Sequence, residues 1–413
     1  MLDANKTEQK DLRGGESPWQ SGFTRPRRRA LDHSLKCDVL VVGGGITGAL
    51  VAQHLTALGR QVCLIDRERV GFGSTAASTA MLQWEIDCSL GELTALYGFD
   101  RAANIFRQSF RAVAGLRALV QQLGIACAFR ARQSLYLAVE QADPANLRAE
   151  SSLRDRADLP GVYLDYLTLK REFDIEREAA IVSPGSAEAD PLLLTHGLIA
   201  SALANGASIY DAEAIAYSGF SRGALVGLDN GCEIEARHVV LASGYVMPAF
   251  LTSELHTTAS SWALATAPQP PGALWHDGAL IWEASDDYHY ARTTVDGRII
   301  IGGEDDDQVI DPNERDALTP AKREALLRTL KSLRPEAELV ADYMWSGAFG
   351  QTVDGLPLIG ETPTEPNIFA AYGYGGNGIT FSFLAAHMLG NMIRGHRESW
   401  YDDLAIDRSL PGR

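Results

Sequence analysis

The 413-residue sequence has few cysteines, no long apolar run and no stretch typical of a secretory signal. Its five cysteines are odd in number and form no C-x-x-C pair, so they indicate neither a disulfide framework nor a zinc site. No uninterrupted apolar run reaches the ~18 residues of a membrane-spanning helix. The N-terminal segment is polar through Gly15, without the apolar core of a signal peptide. We therefore expect reduced thiols, no metal, no membrane span and a cytoplasmic location.

Basic residues are also scarce: 37 Lys and Arg stand against 53 Asp and Glu, a net charge of −16. Phosphate-rich partners need clustered basic charge, so this balance argues against a nucleic-acid or anionic-membrane partner. The run at residues 27–29 (Arg27, Arg28 and Arg29) is short, and we interpret it as a solvated loop. The chain length predicts two or more domains with ample material for a buried core.

The most informative stretch runs from Cys37 to Asp66. An apolar, β-branched run at residues 38–42 predicts a buried parallel strand, and residues 61–65 predict a second one. Between them, apolar residues recur at helical spacing over residues 46–58. The turn that joins the first strand to this helix carries three glycines at G-x-G-x-x-G spacing, namely Gly43, Gly45 and Gly48.

Each glycine of this turn has a mechanical role in binding a dinucleotide. Gly43 makes the turn, Gly45 lets the backbone approach a pyrophosphate, and Gly48 lets the helix pack on the strand. The helix N-terminus, at Ile46 and Thr47, offers N–H groups and a positive dipole end to the phosphates. A glycine triplet alone is as well explained by a surface turn. Here strand, turn, helix, strand and terminal acid all occur in order, which predicts a dinucleotide site.

Asp66 narrows the choice of dinucleotide. It lies about 20 residues beyond the glycines, where the fingerprint expects an acid that binds a ribose 2′-hydroxyl. Its charge would repel a 2′-phosphate, so we predict FAD or NAD rather than NADP.

A second glycine-rich turn lies far along the chain. Residues 367–372 predict a buried strand, residues 373–378 a turn, and residues 379–394 a helix. The N-terminus of that helix is suited to bind a second, electron-rich part of the same cofactor. In an NAD enzyme this second turn would have no part of the cofactor to bind, so its presence favours FAD.

Other segments complete the predicted organisation. Small residues at 73–82 suit a loop pressed against a cofactor, although ordinary helix packing explains them equally well, and residues 83–87 could reach a reactive centre. Helical periodicity over residues 90–123 has a break near Gly98. Residues 180–187 look turn-rich, and a helix is predicted over residues 320–333. Short strands between residues 256 and 303, with a hairpin turn at Asp296-Gly297, predict an antiparallel sheet.

Taken together, these motifs resemble the D-amino acid oxidase-like family of FAD-dependent oxidoreductases, near glycine oxidase and γ-glutamylputrescine oxidase. The resemblance covers residues 36–395 and is carried by VLVVGGGITG with Asp66, DPLLLTHGLIASALANGASIY, VVLASGY, DYHYARTTVDGRIIIGGEDD, WSGAFGQTVDGLPLIG and NIFAAYGYGGNGITFSFLAAHML. These motifs are specific for fold and cofactor and do not specify a substrate.

The resemblance implies an α/β fold in which a Rossmann-like FAD-binding domain is interleaved with an α+β substrate domain built on an antiparallel sheet. The FAD-binding domain would comprise residues 37–87, 188–250 and 340–413. The substrate domain would comprise residues 88–187 and 251–339, and residues 1–36 would form an N-terminal tail over the first domain.

The resemblance also implies which residues hold FAD. The ADP half would lie on Gly43, Gly45, Gly48 and Asp66. The phosphates and ribityl chain would be lined by Arg67, Ser74, Ser78 and Thr79. The flavin N1–C2=O edge would face the backbone of Gly375, Gly376, Gly378 and Ile379. Because relatives that attach flavin covalently use a cysteine in the C-terminal part, and the last cysteine here is Cys232, we expect non-covalent FAD.

One departure from the family pattern concerns the substrate. Members that act on α-amino acids usually have a carboxylate-binding arginine shortly after the W-x-G of the last substrate strand, and here residues 348–351 contain no basic residue. Arg292 is the best remaining anion clamp, because a guanidinium binds a carboxylate by two hydrogen bonds. A structural salt bridge is an equally good interpretation. The other predicted pocket residues, each of them also compatible with a structural role, are Tyr288, His289, Tyr290, Trp345 and Gln351. We favour Tyr288, Tyr290 and Arg292 as one face of their strand, which puts His289 on the other.

The predicted function is oxidation of the C–N bond of a small-molecule amine or amino acid, with hydride transfer to flavin N5, hydrolysis of the imine and reoxidation of the flavin by O2. Two alternatives stay open at this point: an FAD dehydrogenase that uses another acceptor, and a non-catalytic flavoprotein whose pocket has drifted. The sequence predicts neither the substrate nor the oligomeric state.

Overall fold

The computed structural model describes residues 12–21, 29–139, 144–285, 288–309 and 311–410. Arg27 and Arg28 of the predicted basic loop, and much of the predicted tail, lie outside the described residues. Within the described residues the strands form two sheets, one of eight strands and one of ten.

The eight-stranded sheet has a parallel centre. Its strands, in spatial order, are β17 (Leu358–Glu361), β18 (Ile368–Tyr372), β11 (Glu233–Leu241), β2 (Leu35–Val42), β3 (Val62–Asp66) and β8 (Ser208–Asp211), with β10 (Gly223–Leu228) and β9 (Ala214–Phe220) attached to β11. From β18 to β8 every neighbouring pair is parallel. The chain leaves β2 towards β3 on one side, whereas β11 lies on the other side. The crevice between β2 and β11 is therefore a switch point, where doubly wound sheets bind ligands.

The larger sheet is antiparallel except where β13 pairs with β5. Its strands, in spatial order, are β1 (Arg13–Glu16), β16 (Ala341–Thr352), β12 (His256–Thr266), β15 (Ile299–Asp306), β14 (Tyr290–Thr293), β13 (Leu280–Glu283), β5 (Arg130–Leu137), β7 (Ala179–Glu188) and β4 (Met81–Leu82), with β6 (Val162–Asp165) beside β7. The predicted fold class, a Rossmann-like part and a part built on an antiparallel sheet, is confirmed.

Helices cover the sheets and connect them. The described α-helices are α1 (Ile46–Ala57), α2 (Ser74–Ala77), α3 (Leu90–Tyr97), α4 (Phe99–Leu123), α5 (Pro144–Arg156), α6 (Tyr166–Phe173), α7 (Pro191–Ala204), α8 (Pro312–Leu333) and α9 (Gly378–Ile393). The largest buried apolar cluster joins β2, α1, α4, α7 and α9 through residues such as Val39, Leu50, Phe106, Leu198 and Leu389. Among these described helices, none combines the length and apolarity needed to cross a membrane.

Several local predictions are confirmed. The Cys37–Asp66 stretch forms β2, α1 and β3, and the helical region 90–123 divides at Gly98 into α3 and α4. The Asp296-Gly297 turn joins the antiparallel pair β14 and β15.

Two local predictions are wrong. Residues 180–187 are a strand, β7, because pairing with β5 and β6 overrides the turn signal of Pro184-Gly185, which coincides with a register shift opposite residues 132–134. Helix α8 begins at Pro312 rather than at Pro320. Asp311 caps it by accepting hydrogen bonds from the amides of Asn313 and Glu314 at 2.9 and 3.2 Å. Pro320 lies inside the helix.

Sheet membership also bears on the predicted domains. The described part of the predicted tail includes β1, an edge strand of the large sheet, and its RGGE sequence has no alternation that indicates a strand. Strand β16 pairs with β12 in the large sheet, although the predicted cofactor segment begins at residue 340. The division of the chain into domains stays a prediction.

Candidate functional site

A cavity of about 570 Å³ lies at the carboxyl ends of β2, β3 and β11. The parallel sheet contributes residues at these strand ends, such as Gly43, Asp66 and Ser243. The large sheet contributes Tyr288 and Trp345 to the opposite wall. The cavity therefore joins the two sheets at the switch point between β2 and β11.

The first glycine turn is packed too tightly for side chains. A Cβ on Gly48 would lie 1.8 Å from the carbonyl oxygen of Gly43, and a Cβ on Gly43 would lie 2.3 Å from the carbonyl oxygen of Ala242 at the end of β11. Gly43 also has a φ of +106°, a region that favours glycine. Gly43, Gly45, Ile46 and Thr47 line the cavity, whereas Gly48 does not and serves the packing of α1 on β2.

Asp66 is the last residue of β3, and its side chain is hydrogen-bonded to the first glycine turn. Its Oδ2 accepts a hydrogen bond from the Gly44 amide at 2.5 Å, and its Oδ1 accepts one from the Glu68 amide at 2.7 Å. Burial raises the pKa of Asp66 to about 6, although both amides favour the carboxylate. The residue lines the cavity, as the dinucleotide fingerprint predicts.

The predicted phosphate segment also reaches the cavity. Its residues Arg67, Ser74, Ser78 and Thr79 all line the wall. The Thr75 hydroxyl accepts a hydrogen bond from the Ile46 amide at 2.9 Å, which fixes short helix α2 against the start of α1. The Ser74 hydroxyl oxygen is buried and has no hydrogen-bond partner among the described residues. An unpaired buried hydroxyl on this wall fits a polar ligand that supplies its partner.

The second glycine turn closes the cavity near the start of α9. Gly375, Gly376, Gly378 and Ile379 line it, as predicted. The Gly376 amide donates a hydrogen bond to Asp87 Oδ2 at 2.7 Å. A Cβ on Gly375 would lie 2.2 Å from the same oxygen, so Asp87 requires glycine here.

Asp87 is the acid that joins this turn to the large sheet. Its Oδ1 accepts a hydrogen bond from the Tyr288 hydroxyl at 3.2 Å. Burial raises the pKa of Asp87, and the Gly376 amide and Tyr288 hydroxyl oppose that shift. Gln83 and Glu85, from the segment predicted to approach a reactive centre, line the cavity as well.

Aromatic residues of the large sheet form the wall opposite the glycine turns. Tyr288, Tyr290 and Trp345 line it, as predicted, and the Trp345 indole N–H donates to the Ala77 carbonyl at 2.7 Å. Burial raises the pKa values of both tyrosines, so their hydroxyls stay protonated at neutral pH.

Sequence reasoning missed several lining residues. Asp305 follows the GG pair of β15, and burial raises its pKa to about 6. Others come from the end of β13 and from the loop after β11; they include Trp282, Tyr245 and Phe250. The alternation of β15 could have indicated which face Asp305 takes, but no local pattern marks the loop after β11.

Besides His289, two predicted pocket residues do not line the cavity. Gln351 lies near the end of β16, beyond the lining residues Ala348 and Phe349. Arg292 is buried behind the wall, where one guanidinium nitrogen donates to the carbonyls of Thr79, Ala80 and Ala189 at 3.0, 2.9 and 3.2 Å.

The remaining contacts of Arg292 are also structural. Its Nε lies 3.4 Å from Glu188 Oε2, and its guanidinium carbon lies 5.3 Å from the centre of the Trp19 ring. Burial lowers the pKa of Arg292 to about 10, which leaves it charged at neutral pH. The location of Arg292 contradicts a direct anion clamp in the cavity and fits the alternative interpretation, a structural ion pair.

The charges that line the cavity are almost all negative. Among its described lining residues, Arg67 is the one basic side chain, and it lies 3.8 Å from Glu213 near the end of β3. Asp87 and Asp305 lie with the aromatic wall instead. All five cysteines are free thiols. In the parts of the chain that the structure describes, no cluster of three His, Cys, Asp or Glu side chains could hold a metal.

Comparison with known proteins identifies relatives over nearly the whole chain. The family profile described as FAD dependent oxidoreductase matches residues 38–392. Gamma-glutamylputrescine oxidoreductase of Escherichia coli (strain K12) is 26% identical over 382 residues, which cover 89% of this chain and 86% of that protein. Glycine oxidase of Bacillus licheniformis is 25% identical over 381 residues, 90% of this chain and 97% of that protein.

Solved structures share the fold. The crystal structure of glycine oxidase from Geobacillus kaustophilus superposes with a TM-score of 0.76 at 21% identity, covering 91% of this chain and 99% of that one. L-proline dehydrogenase from P. horikoshii gives a TM-score of 0.73 at 19% identity, covering 90% of this chain and 97% of that one.

The residues present fit FAD. The Gly43–Gly48 turn with Asp66 suits the ADP half, and the unpaired Ser74 hydroxyl lies on the wall assigned to the phosphates and ribityl chain. The backbone of Gly375–Ile379, at the start of a 16-residue helix, suits the electron-rich edge of a flavin.

Gly48→Ala tests whether the first glycine turn needs glycine at this position for α1 to pack on β2. The new methyl group collides with the Gly43 carbonyl, and such overpacking costs about 1–3 kcal/mol. We expect a lower melting temperature and less bound flavin per protein, measured by absorbance. Gly272→Ala is the matched control, since a Cβ there meets no atom within 4 Å. Equal flavin content in the two variants would contradict the role assigned to Gly48.

Arg292→Ala tests whether Arg292 is structural. Three buried carbonyls would lose a charged donor, and we expect a loss of about 2–4 kcal/mol in the free energy of unfolding. Arg130→Ala is the control, because Arg130 pairs with the same Glu188 from a half-buried position, and its loss should cost less. A stable Arg292→Ala protein with KM raised selectively for carboxylate substrates would restore the anion clamp.

Proposed function

Because this chain belongs to the FAD dependent oxidoreductase family and binds FAD non-covalently, we propose that it oxidises the C–N bond of an amine at the described cavity. The observation that carries the proposal is the meeting of both glycine turns and the aromatic wall of the large sheet around one cavity. FAD held by the two glycine turns would supply the acceptor for the hydride that leaves the carbon next to nitrogen, and water would hydrolyse the resulting imine. Relatives named glycine oxidase support O2 as the electron acceptor.

The charges on the wall favour an amine over an α-amino acid. An α-carboxylate would face Asp87 and Asp305, and among the described lining residues the one basic side chain, Arg67, lies near the end of β3 rather than on the aromatic wall. Carboxylates on a cavity wall attract a cationic substrate, and aromatic faces add cation–π attraction. Tyr288 and Tyr290 supply such faces.

The same carboxylates assist the chemical step. The amine reacts in its neutral form, after the bound ammonium has released one proton to water. Hydride loss then leaves positive charge on the C–N group of the substrate, and fixed negative groups beside that charge stabilise the transition state. Asp87 is fixed by two hydrogen bonds, from the Gly376 amide and the Tyr288 hydroxyl. The aromatic wall excludes water from the reacting carbon, and the protein needs no nucleophile.

An anaerobic substrate screen tests the proposed function. The flavin-loaded protein is mixed with primary and secondary amines, putrescine derivatives and N-methyl amino acids, and loss of the yellow flavin absorbance is followed. We expect amines without an α-carboxylate to reduce the flavin, and admitted O2 to restore the colour with release of peroxide. Failure of every amine and amino acid to reduce the flavin would contradict the proposal. Reduction without peroxide release would point to a different acceptor.

Asp305→Asn tests the role of charge in substrate selection. Removing this carboxylate should raise KM for a cationic amine roughly tenfold, the cost of about one charge-assisted interaction, with a smaller change in kcat. Asp307→Asn is the matched control, because Asp307 is exposed in the same segment and does not line the cavity. The substrate assignment would be wrong if both variants kept the original KM.

A further inference from the structure

His289 lies between the cavity-lining residue Tyr288 and the start of β14, and its ring joins two strands of the large sheet, β13 and β15. Its Nδ1 is 3.0 Å from Glu283 Oε2 at the end of β13, and its Nε2 is 3.1 Å from Glu304 Oε1 on β15. The backbone adds to this bridge, since the His289 amide donates to Glu283 Oε2 and the Glu283 amide donates to the His289 carbonyl, both at 3.1 Å. One imidazole thus connects the strands on either side of β14.

Two carboxylate acceptors require a proton on each ring nitrogen. Burial disfavours the charged ring, but the hydrogen bonds to Glu283 and Glu304 outweigh burial and raise the pKa of His289 to about 9. His289 is therefore an imidazolium at neutral pH, and each ring N–H donates to one carboxylate.

Other charged groups surround this bridge. From α8, Thr329 Oγ1 lies 3.5 Å from His289 Nε2, while Lys322 and Arg328 act on Glu304. Arg177 acts on Glu283, and Asp305 interacts with the charge of His289. The pKa of Asp305 is about 6, and the contacts with His289 lower the pKa values of Glu283 and Glu304, so these three carboxyls are charged well below pH 9. Among these three acids and His289, it is the imidazole whose charge changes near pH 9.

Glu304 is held in an unusual backbone conformation. Its φ is +61°, in the left-handed region that residues other than glycine rarely adopt. Two contacts hold it there: the His289 ring on its carboxylate, and Lys322 Nζ on its carbonyl oxygen at 2.7 Å. Such conformations persist where the surroundings over-determine them, often beside functional sites.

The bridge adjoins two lining residues. Tyr288 immediately precedes His289, and Asp305 immediately follows Glu304. Both line the cavity, and the Tyr288 hydroxyl also donates to Asp87. Any movement of the His289–Glu304 contact therefore moves a tyrosine and a carboxylate on the wall assigned to the substrate.

We propose that the His289 imidazolium is a positioning residue of the amine site, which holds Tyr288 and Asp305 on the cavity wall by joining Glu283 to Glu304. This inference rests on the proposed function, because it depends on that wall binding the substrate. His289 itself touches no reacting atom.

The proposal sets a direction for pH dependence. The pKa of His289 lies above its ordinary value of 6.5, so the bridge contributes fully to stability below that pH and its contribution is lost as pH rises through about 9. Above pH 9 the neutral ring can donate to one carboxylate, and the other loses its donor. The cavity wall should then bind a cation less tightly.

The test measures binding of benzyltrimethylammonium to the oxidised flavin-loaded protein, followed by the change in flavin absorbance from pH 7 to 10. This probe keeps its charge at every pH and cannot form an imine. In the unaltered protein its affinity should fall through about pH 9. In His289→Gln, whose donors are uncharged and lie on a single nitrogen, affinity at pH 7 should be roughly tenfold weaker and no longer depend on pH in this range.

His276→Gln is the matched control. His276 is exposed, its ring contacts the Glu172 carbonyl at 3.0 Å, and it does not line the cavity. This variant should keep the affinity and pH profile of the unaltered protein. A merely structural role for His289 would lower stability without removing the pH dependence of binding. Wild-type affinity and an unchanged fall near pH 9 in His289→Gln would overturn the proposal.

Amide hydrogen exchange tests the role of His289 in the unaltered protein, so this test needs neither a folded variant nor a known substrate. In the unaltered flavin-loaded protein, the amides of Glu283 and His289 should lose protection through pH 9 relative to amides of β2. Equal behaviour of the two regions would overturn the proposal. If no amine reduces the flavin, the proposed function fails, while this exchange comparison still decides the role of His289.

Discussion

The close packing of the first glycine turn is the constraint on which the rest of the structure depends. The Gly43 carbonyl lies where a Cβ of Gly48 would be, so α1 can lie directly against β2. This places the N-terminus of α1 at the carboxyl ends of β2 and β11, and α9 packs beside α1. The second glycine turn, at the start of α9, consequently faces the same cavity as the first.

Structural elements whose residues lie close together in the chain could be predicted from the sequence. The β2–α1–β3 unit, its glycines and Asp66 lie within 30 residues, and each has a local geometric reason. Contacts between segments that are far apart in the chain give no local sequence pattern from which they could be predicted. Asp87 binds the Gly376 amide across 289 residues and Tyr288 across 201, so no periodicity could bring these residues together. The family resemblance predicted the fold and the cofactor residues, whereas the location of Asp87 and Asp305 beside the aromatic wall could be seen only in the structure.

Arg292 shows why a correct strand pattern can still misplace a side chain. Alternation along β14 puts Tyr288, Tyr290 and Arg292 on one face, and both tyrosines do line the cavity. Alternation gives the face but not the distance along the strand. By Arg292 the strand has passed beyond the cavity, and the guanidinium meets the carbonyls of the 79–80 turn instead. Pairing likewise decided β7, where strands on both sides overrode a Pro-Gly turn signal.

Asp87 couples the two ends of the cavity. Its carboxylate accepts a hydrogen bond from the Gly376 amide, which the family resemblance assigns to the flavin edge. It also accepts one from the Tyr288 hydroxyl on the substrate wall. Burial raises the pKa of Asp87, and these two donors oppose that shift by favouring its charged form. A substrate cation bound beside the carboxylate would favour the charged form further. The second glycine turn therefore helps to set the charge that the substrate wall presents, through a side chain that lies in neither glycine turn.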